Sequence, residues 1–335
     1  MTNKIFLICY GTRPEFLKIK PLLKEMDKLS IKYKTLFTGQ HVDLIDYNIP
    51  DYKIDIHNDI NSDRLNSILY SIFGTSIDFS VYGYIIVQGD TSSALGMSIL
   101  AFNKNINVIH LEAGLRTYDR KNPYPEEINR QLISRIADIH FCPTSLNLQN
   151  LHNEMIYENV YVVGNTILDN IVDIKTSYNN EVLITMHRRE NHDIIQKWFL
   201  EFSKLAKKYN KLKFTFILHP NPNIKKHIHI LENIDIINPL PYDEMTKRLS
   251  ECKLVISDSG GLQEECSFLK KKIIVCRKIT ERPESINNSS RMCTGPEYID
   301  GEFFLANTYY DTASGVCPFG DGTTSKQVCK ILKEL

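Results

Sequence analysis

The chain has 335 residues, of which 42% are apolar and 24% charged, and Lys plus Arg equals Asp plus Glu at 40 each. This length predicts two domains, and the balanced charge excludes a general attraction to nucleic acid or to an anionic membrane. The apolar runs are far shorter than the ~20 residues of a membrane helix, and the first run is too short for a signal peptide. We therefore expect a cytoplasmic protein without nucleic-acid or membrane partners.

The eight cysteines are scattered, without a CxxC pair and without a His/Cys cluster at zinc spacing. This pattern is typical of reduced, buried thiols in a protein that holds no metal ion.

Short apolar runs alternate with amphipathic segments in the first half of the chain, beginning with KIFLICYG, YKTLFTG, YGYIIVQGD, NVIHLEAG, DIHFCPT and VYVVGN. Apolar strands that alternate with helices predict a parallel sheet covered on both faces. The alternation then restarts with EVLITMH, KFTFILHP, IDIINPL, KLVISDSGG and KIIVCR. The sequence therefore predicts an α/β fold with two doubly wound, Rossmann-like domains.

The domain boundary is predicted near GNTILDNIVDIKTSYNN, where a helical segment runs into a polar stretch. We expect an N-terminal domain at 1–165 and a C-terminal domain at 166–320. The remaining residues, 321–335, should form a helix that packs back on the N-terminal domain.

Polar motifs follow nearly every predicted strand, among them YGTRPE, TGQH, QGDTSS, HLEAGLR, TMHRREN, LHPNPN and SDSGGLQEE. Ligands of open parallel sheets bind outside the carboxyl ends of the strands. In a chain with two such sheets, these ends can face each other across a cleft between the domains.

The motif SDSGGLQEE is typical of a helix start that binds phosphate. Asp258 and Ser259 could cap the helix, while Gly260 and Gly261 would let backbone N–H groups approach an anion. Glu265 could accept hydrogen bonds from ribose hydroxyls. A simple capped helix after a tight turn would explain the motif equally well.

Basic side chains near other strand ends are candidate anion ligands. Arg13 precedes Pro14 at a predicted helix start, where its guanidinium would suit a phosphate oxygen, and Arg282 in TERPE is a further candidate. Lys18 on the same helix as Arg13 is more typical of a solvated lysine. His187 could be a general acid, a general base or a phosphate ligand, although a lone histidine is often structural.

Three carboxylates form the candidate catalytic group. Asp90 and Glu112 each follow a buried strand, so both should point toward one crevice, and Glu126 begins a helix that carries Arg130 on the same face. Helix capping would also explain Asp90, and the preference of helix starts for acids would explain Glu126. Three partly desolvated carboxylates would raise each other's pKa, which would provide an acid and a base near pH 7.

Ten motifs, in order and across essentially the whole chain, resemble those of the non-hydrolysing UDP-N-acetylglucosamine 2-epimerases: GTRPE, TGQH, QGDTSS, HLEAGLRT…YPEEINR, GNTILDN, HRREN, HPNPN, SDSGGLQEE, TERPES and FGDGTTS. The resemblance implies a glycosyltransferase-B-type fold with UDP in the interdomain cleft, a homodimer, and no cofactor. It also implies reversible inversion at carbon 2 of the sugar, giving UDP-N-acetylmannosamine through elimination of UDP to 2-acetamidoglucal and re-addition.

The resemblance assigns roles by position. The family's catalytic acids fall on Asp90, Glu112 and Glu126. Its phosphate and nucleotide ligands, with His187 also a catalytic candidate, fall on Arg13, His187, Ser259, Gly260, Gly261, Glu265 and Arg282. Lys18 and Arg130 match other active-site positions.

The chain departs from the family after TGQH, where bacterial members carry QHR-x-M as part of a second, activating UDP-N-acetylglucosamine site. Gln40 and His41 remain, and with His219 they mark a candidate second site. Val42 and Asp43 replace other polar side chains, and a carboxylate near a diphosphate would repel it. We therefore expect no strong requirement for the substrate as an activator.

Other functions are compatible with the same residues. A hydrolysing 2-epimerase would release N-acetylmannosamine and UDP from the same glucal intermediate, and a related 2-epimerase would act on a UDP-diacetamido-uronic acid. A UDP-sugar glycosyltransferase or a UDP-sugar-binding sensor would share the nucleotide site. Neither of these last two gives the three carboxylates a reason to converge.

Overall fold

The structure, a computed structural model, describes residues 5–40, 49–56, 63–286, 288–308 and 315–335. Contacts divide the chain into two compact units. Unit 1 comprises Met1–Asn170 and Gly320–Leu335, and unit 2 comprises Ile171–Phe319. The first break therefore lies between 170 and 171, whereas the sequence predicted it between 165 and 166.

Unit 1 contains a seven-stranded, all-parallel sheet. Its strands are β1 (Ile5–Tyr10), β2 (Tyr33–Phe37), β3 (Tyr52–Lys53), β4 (Tyr82–Gln88), β5 (Asn107–Leu111), β6 (Ile139–Cys142) and β7 (Val160–Val162), in the spatial order β3-β2-β1-β4-β5-β6-β7. Its helices include α1 (Arg13–Lys28), α2 (Arg64–Phe73), α3 (Ser92–Asn103), α4 (Glu126–Ile136) and α5 (Ser145–Asn153).

Unit 2 contains a six-stranded, all-parallel sheet. Its strands are β8 (Glu181–Thr185), β9 (Lys213–Ile217), β10 (Asp235–Ile237), β11 (Leu254–Ser257), β12 (Lys272–Val275) and β13 (Ser290–Met292), in the order β10-β9-β8-β11-β12-β13. The helices are α6 (Ile195–Lys208), α7 (Pro222–Lys225), α8 (Tyr242–Glu251), α9 (Gly261–Phe268) and α10 (Ile299–Thr308). Two doubly wound parallel sheets confirm the predicted fold class.

Strand β1 shows why its apolar run predicts a sheet covered on both faces. Phe6 and Ile8 pack into a cluster with α1, while Leu7 and Cys9 pack into a second cluster with α2 and α3. Successive side chains of a strand point to opposite faces, so a continuous apolar run fills both layers.

The C-terminal helix α11 (Thr324–Glu334) belongs to unit 1. Val328, Cys329 and Leu332 are buried in the cluster that also contains the apolar face of α1. The chain thus returns to unit 1 after completing unit 2.

Each sheet has one point at which the winding of the chain changes direction. In unit 1 this point lies between β1 and β4, and in unit 2 between β8 and β11. Ligands of doubly wound sheets bind outside the strand ends at such points, so these two places are where functional side chains are expected.

None of the helices that the structure describes is long and apolar enough to cross a membrane. Among the same described residues, no three or more His, Cys, Asp or Glu side chains are grouped so that they could hold a metal ion.

Candidate active site

Glu112 lies directly after β5 and is held by three side chains. Its Oε2 atom forms an ion pair with Lys18 and accepts a 2.5 Å hydrogen bond from Gln88, and its Oε1 atom accepts a 3.2 Å bond from Asn165. The residue is only 9% exposed and has a φ of +63°. Such a backbone conformation costs a non-glycine residue on the order of 1–3 kcal/mol and is common at functional sites.

A small pocket in unit 1 opens beside this carboxylate. It is lined by Gln88, Leu111, Glu112, Phe141, Val163, Gly164, Asn165, Thr166, Thr324 and Val328. Gln88 and Asn165 donate hydrogen bonds to Glu112, and the sequence analysis did not predict these partners. The Gln of QGD and the Asn of GNTILDN were visible as strand-end residues, but nothing in the sequence paired them with Glu112.

Thr324, at the start of α11, reaches this pocket because Asp169 holds the helix end. The Asp169 carboxylate accepts hydrogen bonds from the backbone N–H groups of Thr324 at 3.1 Å and Ser325 at 2.7 Å. Burial raises the pKa of Asp169, although these hydrogen bonds oppose the shift. Asp169 therefore acts as an N-terminal cap from a distant part of the chain.

Asp90 lies two residues after β4, whose last residue Gln88 is in register with Leu111 of β5. The Asp90 carboxylate forms an ion pair with Arg130. The backbone carbonyl oxygen of Asp90 accepts a 2.9 Å hydrogen bond from the Asn129 side chain. The structure thus places Asp90 and Glu112 after neighbouring strands; that both point toward one crevice stays a prediction.

The two adjacent acids at the start of α4 have different surroundings. Glu127 is fully buried, and its two oxygens accept the backbone N–H groups of Thr117 and Tyr118, both at 3.0 Å. Glu126 is half-buried and lies one turn before Arg130, on the same face of the helix. Glu127 therefore fixes the loop before α4 and also pairs with Arg130 at 3.3 Å. The catalytic role of Glu126 stays a prediction.

The pairing of charged side chains at this site differs from what the sequence led us to expect. The residues alone favoured a solvated Lys18, the resemblance placed it at an active-site position, and the carboxylates were expected to raise each other's pKa. Lys18 is instead 13% exposed and pairs with Glu112, and the 3% exposed Arg130 pairs with Asp90. Each strand-end carboxylate therefore lies in an ion pair, and Arg130 also pairs with Glu127 at 3.3 Å.

Glu15 stabilises the backbone between β1 and β4, where the winding of the chain changes direction. Its Oε2 atom accepts the N–H groups of Gly11 at 2.9 Å and Thr12 at 2.7 Å, and its Oε1 atom accepts the Thr91 hydroxyl at 2.7 Å. Burial raises the pKa of Glu15, and the hydrogen bonds oppose this shift. The half-buried Arg13, the first residue of α1, lies beside this junction.

In unit 2 the corresponding point holds His187 and Asp258, at the ends of β8 and β11. The fully buried Asp258 carboxylate accepts the backbone N–H of His187 at 3.0 Å, that of Arg188 at 2.9 Å and the Asn191 amide at 3.0 Å. Helix α9 has Gly260 at its N-cap and no side-chain cap. The prediction that Asp258 caps this helix is therefore wrong, because its oxygens are used by the end of β8.

The His187 ring lies between charged groups and a second histidine. Its Nδ1 atom is 3.2 Å from Oδ1 of Asp258, and the ring stacks on His219 with 5.5 Å between centroids. Burial lowers the pKa of His187, Asp258 opposes the shift, and Arg188, His219 and Arg277 lower it further.

The two glycines at the start of α9 are glycines for different reasons. A Cβ atom on Gly260 would lie 2.6 Å from Arg282 Nη1 and 3.2 Å from Arg188 Nη2, so packing requires glycine there. A Cβ on Gly261 would meet nothing within 4 Å. Space for a close-approaching anion therefore remains beside Gly261 at the start of α9, next to the half-buried Ser259.

Arg282 is not a simple anion ligand. Its Nε atom donates to Glu264 at 2.7 Å and its Nη1 atom pairs with Glu281, in a setting where Arg282 is 5% exposed. Glu281 is also 2.9 Å from Arg277. The more accessible cation beside Gly260 is Arg188, with a side chain 23% exposed, to which the sequence analysis gave no separate role.

Glu265 lies on the second turn of α9 and is 6% exposed. Its Oε1 atom accepts a 2.8 Å hydrogen bond from the Tyr242 hydroxyl. Burial and the Glu265 carboxylate raise the pKa of Tyr242, so the phenol stays protonated and orients the acid.

The candidate second site stays a prediction. Gln40 in unit 1 accepts hydrogen bonds from the Ser93 N–H at 3.2 Å and hydroxyl at 2.8 Å. His41 lies outside the described residues, as do Val42 and Asp43. His219 lies in unit 2, where it stacks on His187.

Two Rossmann-like units, one with paired carboxylates and the other with an open helix N-terminus beside a histidine, define an enzyme of the glycosyltransferase-B-type fold. The family model for UDP-N-acetylglucosamine 2-epimerase matches residues 24–333. The UDP-N-acetylglucosamine 2-epimerase of Campylobacter jejuni is 33% identical, over 99% of this chain and 98% of its own length. The chain belongs to the UDP-N-acetylglucosamine 2-epimerase family, and it is an epimerase.

Solved structures are similar over the whole chain. The UDP-GlcNAc 2-epimerase from Neisseria meningitidis, bound to UDP-GlcNAc, has a TM-score of 0.90 and 32% identity, covering 99% of this chain and 100% of its own. The enzyme from Methanocaldococcus jannaschii, in complex with UDP-GlcNAc and UDP, has a TM-score of 0.85 and 27% identity with the same coverage.

Proposed function

We propose that the chain interconverts UDP-N-acetylglucosamine and UDP-N-acetylmannosamine without net hydrolysis. The observation that carries the proposal is a pair of carboxylates at neighbouring strand ends, Glu112 in an ion pair with Lys18 and Asp90 in an ion pair with Arg130. Inversion at carbon 2 needs one group to remove a proton and another to return it on the opposite face. The similarity to epimerases crystallised with UDP-GlcNAc supports this substrate.

The proposed reaction proceeds by elimination and re-addition. The carbon-2 proton goes to a carboxylate, the C1–O bond breaks, and UDP leaves with the bonding electrons, so that a C1–C2 double bond forms. UDP then adds again to carbon 1, and a proton is delivered to the other face of carbon 2. We assign these proton transfers to Asp90 and Glu112, with Glu126 on the adjoining helix face.

The nucleotide is assigned to unit 2. The open N–H groups at Gly261, with Ser259 and the Arg188 guanidinium, suit a diphosphate whose charge grows as the C1–O bond breaks. Glu265, fixed by Tyr242, suits the ribose hydroxyls. Arg13 at the start of α1 stays a candidate anion ligand of unit 1.

Incubation with UDP-N-acetylglucosamine in deuterated water, followed by proton and phosphorus NMR, tests the function. We expect UDP-N-acetylmannosamine to appear and both sugars to carry deuterium at carbon 2. Accumulation of free N-acetylmannosamine and UDP would indicate a hydrolysing enzyme instead. Absence of deuterium would overturn the proton-transfer mechanism. A parallel reaction with a UDP-diacetamido-uronic acid shows which of the two UDP-sugars is the substrate.

The homodimer stays a prediction. Light scattering after gel filtration measures the mass in solution directly, and a mass of one chain would contradict it.

A further inference from the structure

The turn after β4, which carries Asp90, contains a glycine whose backbone is held from β5. Gly89 has a φ of +68°, a conformation that glycine adopts far more readily than other residues. Glycine also has the most conformational freedom, so the direction of the chain beyond it depends on what restrains it. One restraint is the N–H group of Gly89, which donates a 2.9 Å hydrogen bond to the Leu111 carbonyl.

The second restraint on Gly89 is the ring of His110. Its Nε2 atom lies 2.7 Å from the Gly89 carbonyl oxygen in a hydrogen bond. Because a carbonyl oxygen only accepts, Nε2 carries the proton. His110 belongs to β5, is paired in register with Val87 of β4 and is fully buried. Both backbone polar groups of Gly89 are therefore bonded to residues of β5.

The carbonyl group of Asp90 itself is held in the same way, from α4. The buried side-chain amide of Asn129 donates a 2.9 Å hydrogen bond to this oxygen. The two peptide groups that flank the Cα atom of Asp90 are thus each bonded by a buried side chain of another element. Because a peptide group is planar, fixing both planes fixes φ and ψ of Asp90, and with them the direction in which its side chain leaves the backbone.

We propose that His110 and Asn129 are positioning residues that hold Asp90 in the orientation required for proton transfer at carbon 2. Arg130 restrains the same residue at its carboxylate, whereas His110 and Asn129 restrain it through the backbone. The proposal rests on the proposed function, in which Asp90 takes part in the proton transfers. A reacting group displaced by about 1 Å loses ~100-fold in rate, so loss of either hydrogen bond should slow the chemical step.

Two variants of His110 separate the hydrogen bond from the packing of the ring. His110→Phe keeps a ring without the donor, whereas His110→Gln keeps an N–H donor at about the reach of Nε2. We expect kcat to fall ~100-fold in His110→Phe, KM and UDP affinity to stay close to the wild type, and His110→Gln to recover most of the lost turnover. The matched control is His140→Gln, which changes the buried histidine of the neighbouring strand β6 and should keep wild-type turnover. Equal turnover in folded His110→Phe and in the wild type would overturn the role of His110.

The variant Asn129→Ala tests the second bond and keeps the proposal falsifiable if His110→Phe does not fold. We expect a lower kcat with unchanged UDP affinity here as well, and an unchanged kcat would contradict the positioning role. The control Asn159→Ala removes a bond of the same kind, from the Asn159 side chain to the Asp138 carbonyl at 3.2 Å, at the residues that precede β7 and β6. It should lose stability without losing turnover, and equal losses of turnover in both variants would indicate a general effect on the fold and contradict the proposal.

The hydrogen bond of His110 is measured independently of activity in the complete wild-type protein labelled with ¹⁵N-histidine. Long-range ¹H–¹⁵N correlations identify the ring nitrogen that carries the proton, and His110→Gln identifies the signals by their loss. We expect the proton on Nε2, and a ring protonated on Nδ1 alone would overturn the proposal. A wild-type protein that incorporates no deuterium at carbon 2 would instead contradict the proposed function, so the two failures are distinguishable.

Discussion

Among single residues, Lys18 most directly tests the charge balance of the site. Replacing it in Lys18→Met leaves the buried Glu112 carboxylate without its cation, so the ionised form that accepts a proton becomes less stable. We expect turnover and deuterium exchange at carbon 2 to fall at least ~100-fold, the usual loss when acid–base help is removed. Lys20→Met, on the exposed side of the same helix, is the control and should retain wild-type turnover.

The variant Gly261→Ala distinguishes a role of this glycine in ligand binding from a role in packing. Because a Cβ there meets no protein atom within 4 Å, we expect Gly261→Ala to fold with wild-type stability but to bind UDP ~10-fold or more weakly, since the methyl group occupies the space of the anion. Gly301→Ala in α10 also adds a methyl group in open space and should gain about 0.5–1 kcal/mol without loss of UDP affinity. Calorimetric UDP titration and thermal unfolding give both readouts, and unchanged affinity in Gly261→Ala would refute the phosphate assignment.

Among elements, the long strands and helices were predictable because each carries its own periodic pattern. Strands β3 and β13, of two and three residues, were missed because pairing with a neighbouring strand defines them, not a pattern of their own. The same limit applies to the site. The sequence located Glu112 and Asp258, but their partners Lys18 and Asn191 lie 94 and 67 positions away, and no local signal pairs residues at such distances.

The attachment of α11 is an element-level property that depends on Asp169. In Asp169→Asn the charge that accepts the N–H groups of Thr324 and Ser325 is lost, which should cost about 0.5–2 kcal/mol. Because Thr324 lines the pocket beside Glu112, we also expect lower turnover. Hydrogen exchange of Thr324–Glu334 and urea unfolding measure the effect. Asp78→Asn, which removes a carboxylate that accepts the Ser80 N–H in an exposed turn of unit 1, should change neither, and equal effects in both variants would contradict the special role of Asp169.

In the whole molecule, buried neutral histidines couple stability to pH. His110 on β5 and His140 on β6 are paired in register on adjacent strands of the unit 1 sheet, and both are at most 1% exposed. Burial lowers the pKa of His110 to about 3 and that of His140 to about 4, whereas an unfolded histidine titrates near ~6.5. Below that pH the unfolded chain binds protons that the folded protein does not. Stability is therefore complete above pH ~6.5 and is lost as the pH falls toward the folded values.

Each buried histidine should contribute a slope of up to about 1.4 kcal/mol per pH unit to the acid limb of the stability curve. We therefore expect His140→Gln, compared with the wild type between about pH 7 and pH 5, to lose less stability on acidification even if it is less stable at neutral pH. Urea unfolding at several pH values measures the slope. His229→Gln changes an exposed histidine and should leave the slope as in the wild type. If His140→Gln and the wild type show the same slope, burial of His140 does not contribute to the acid limb and the prediction is wrong.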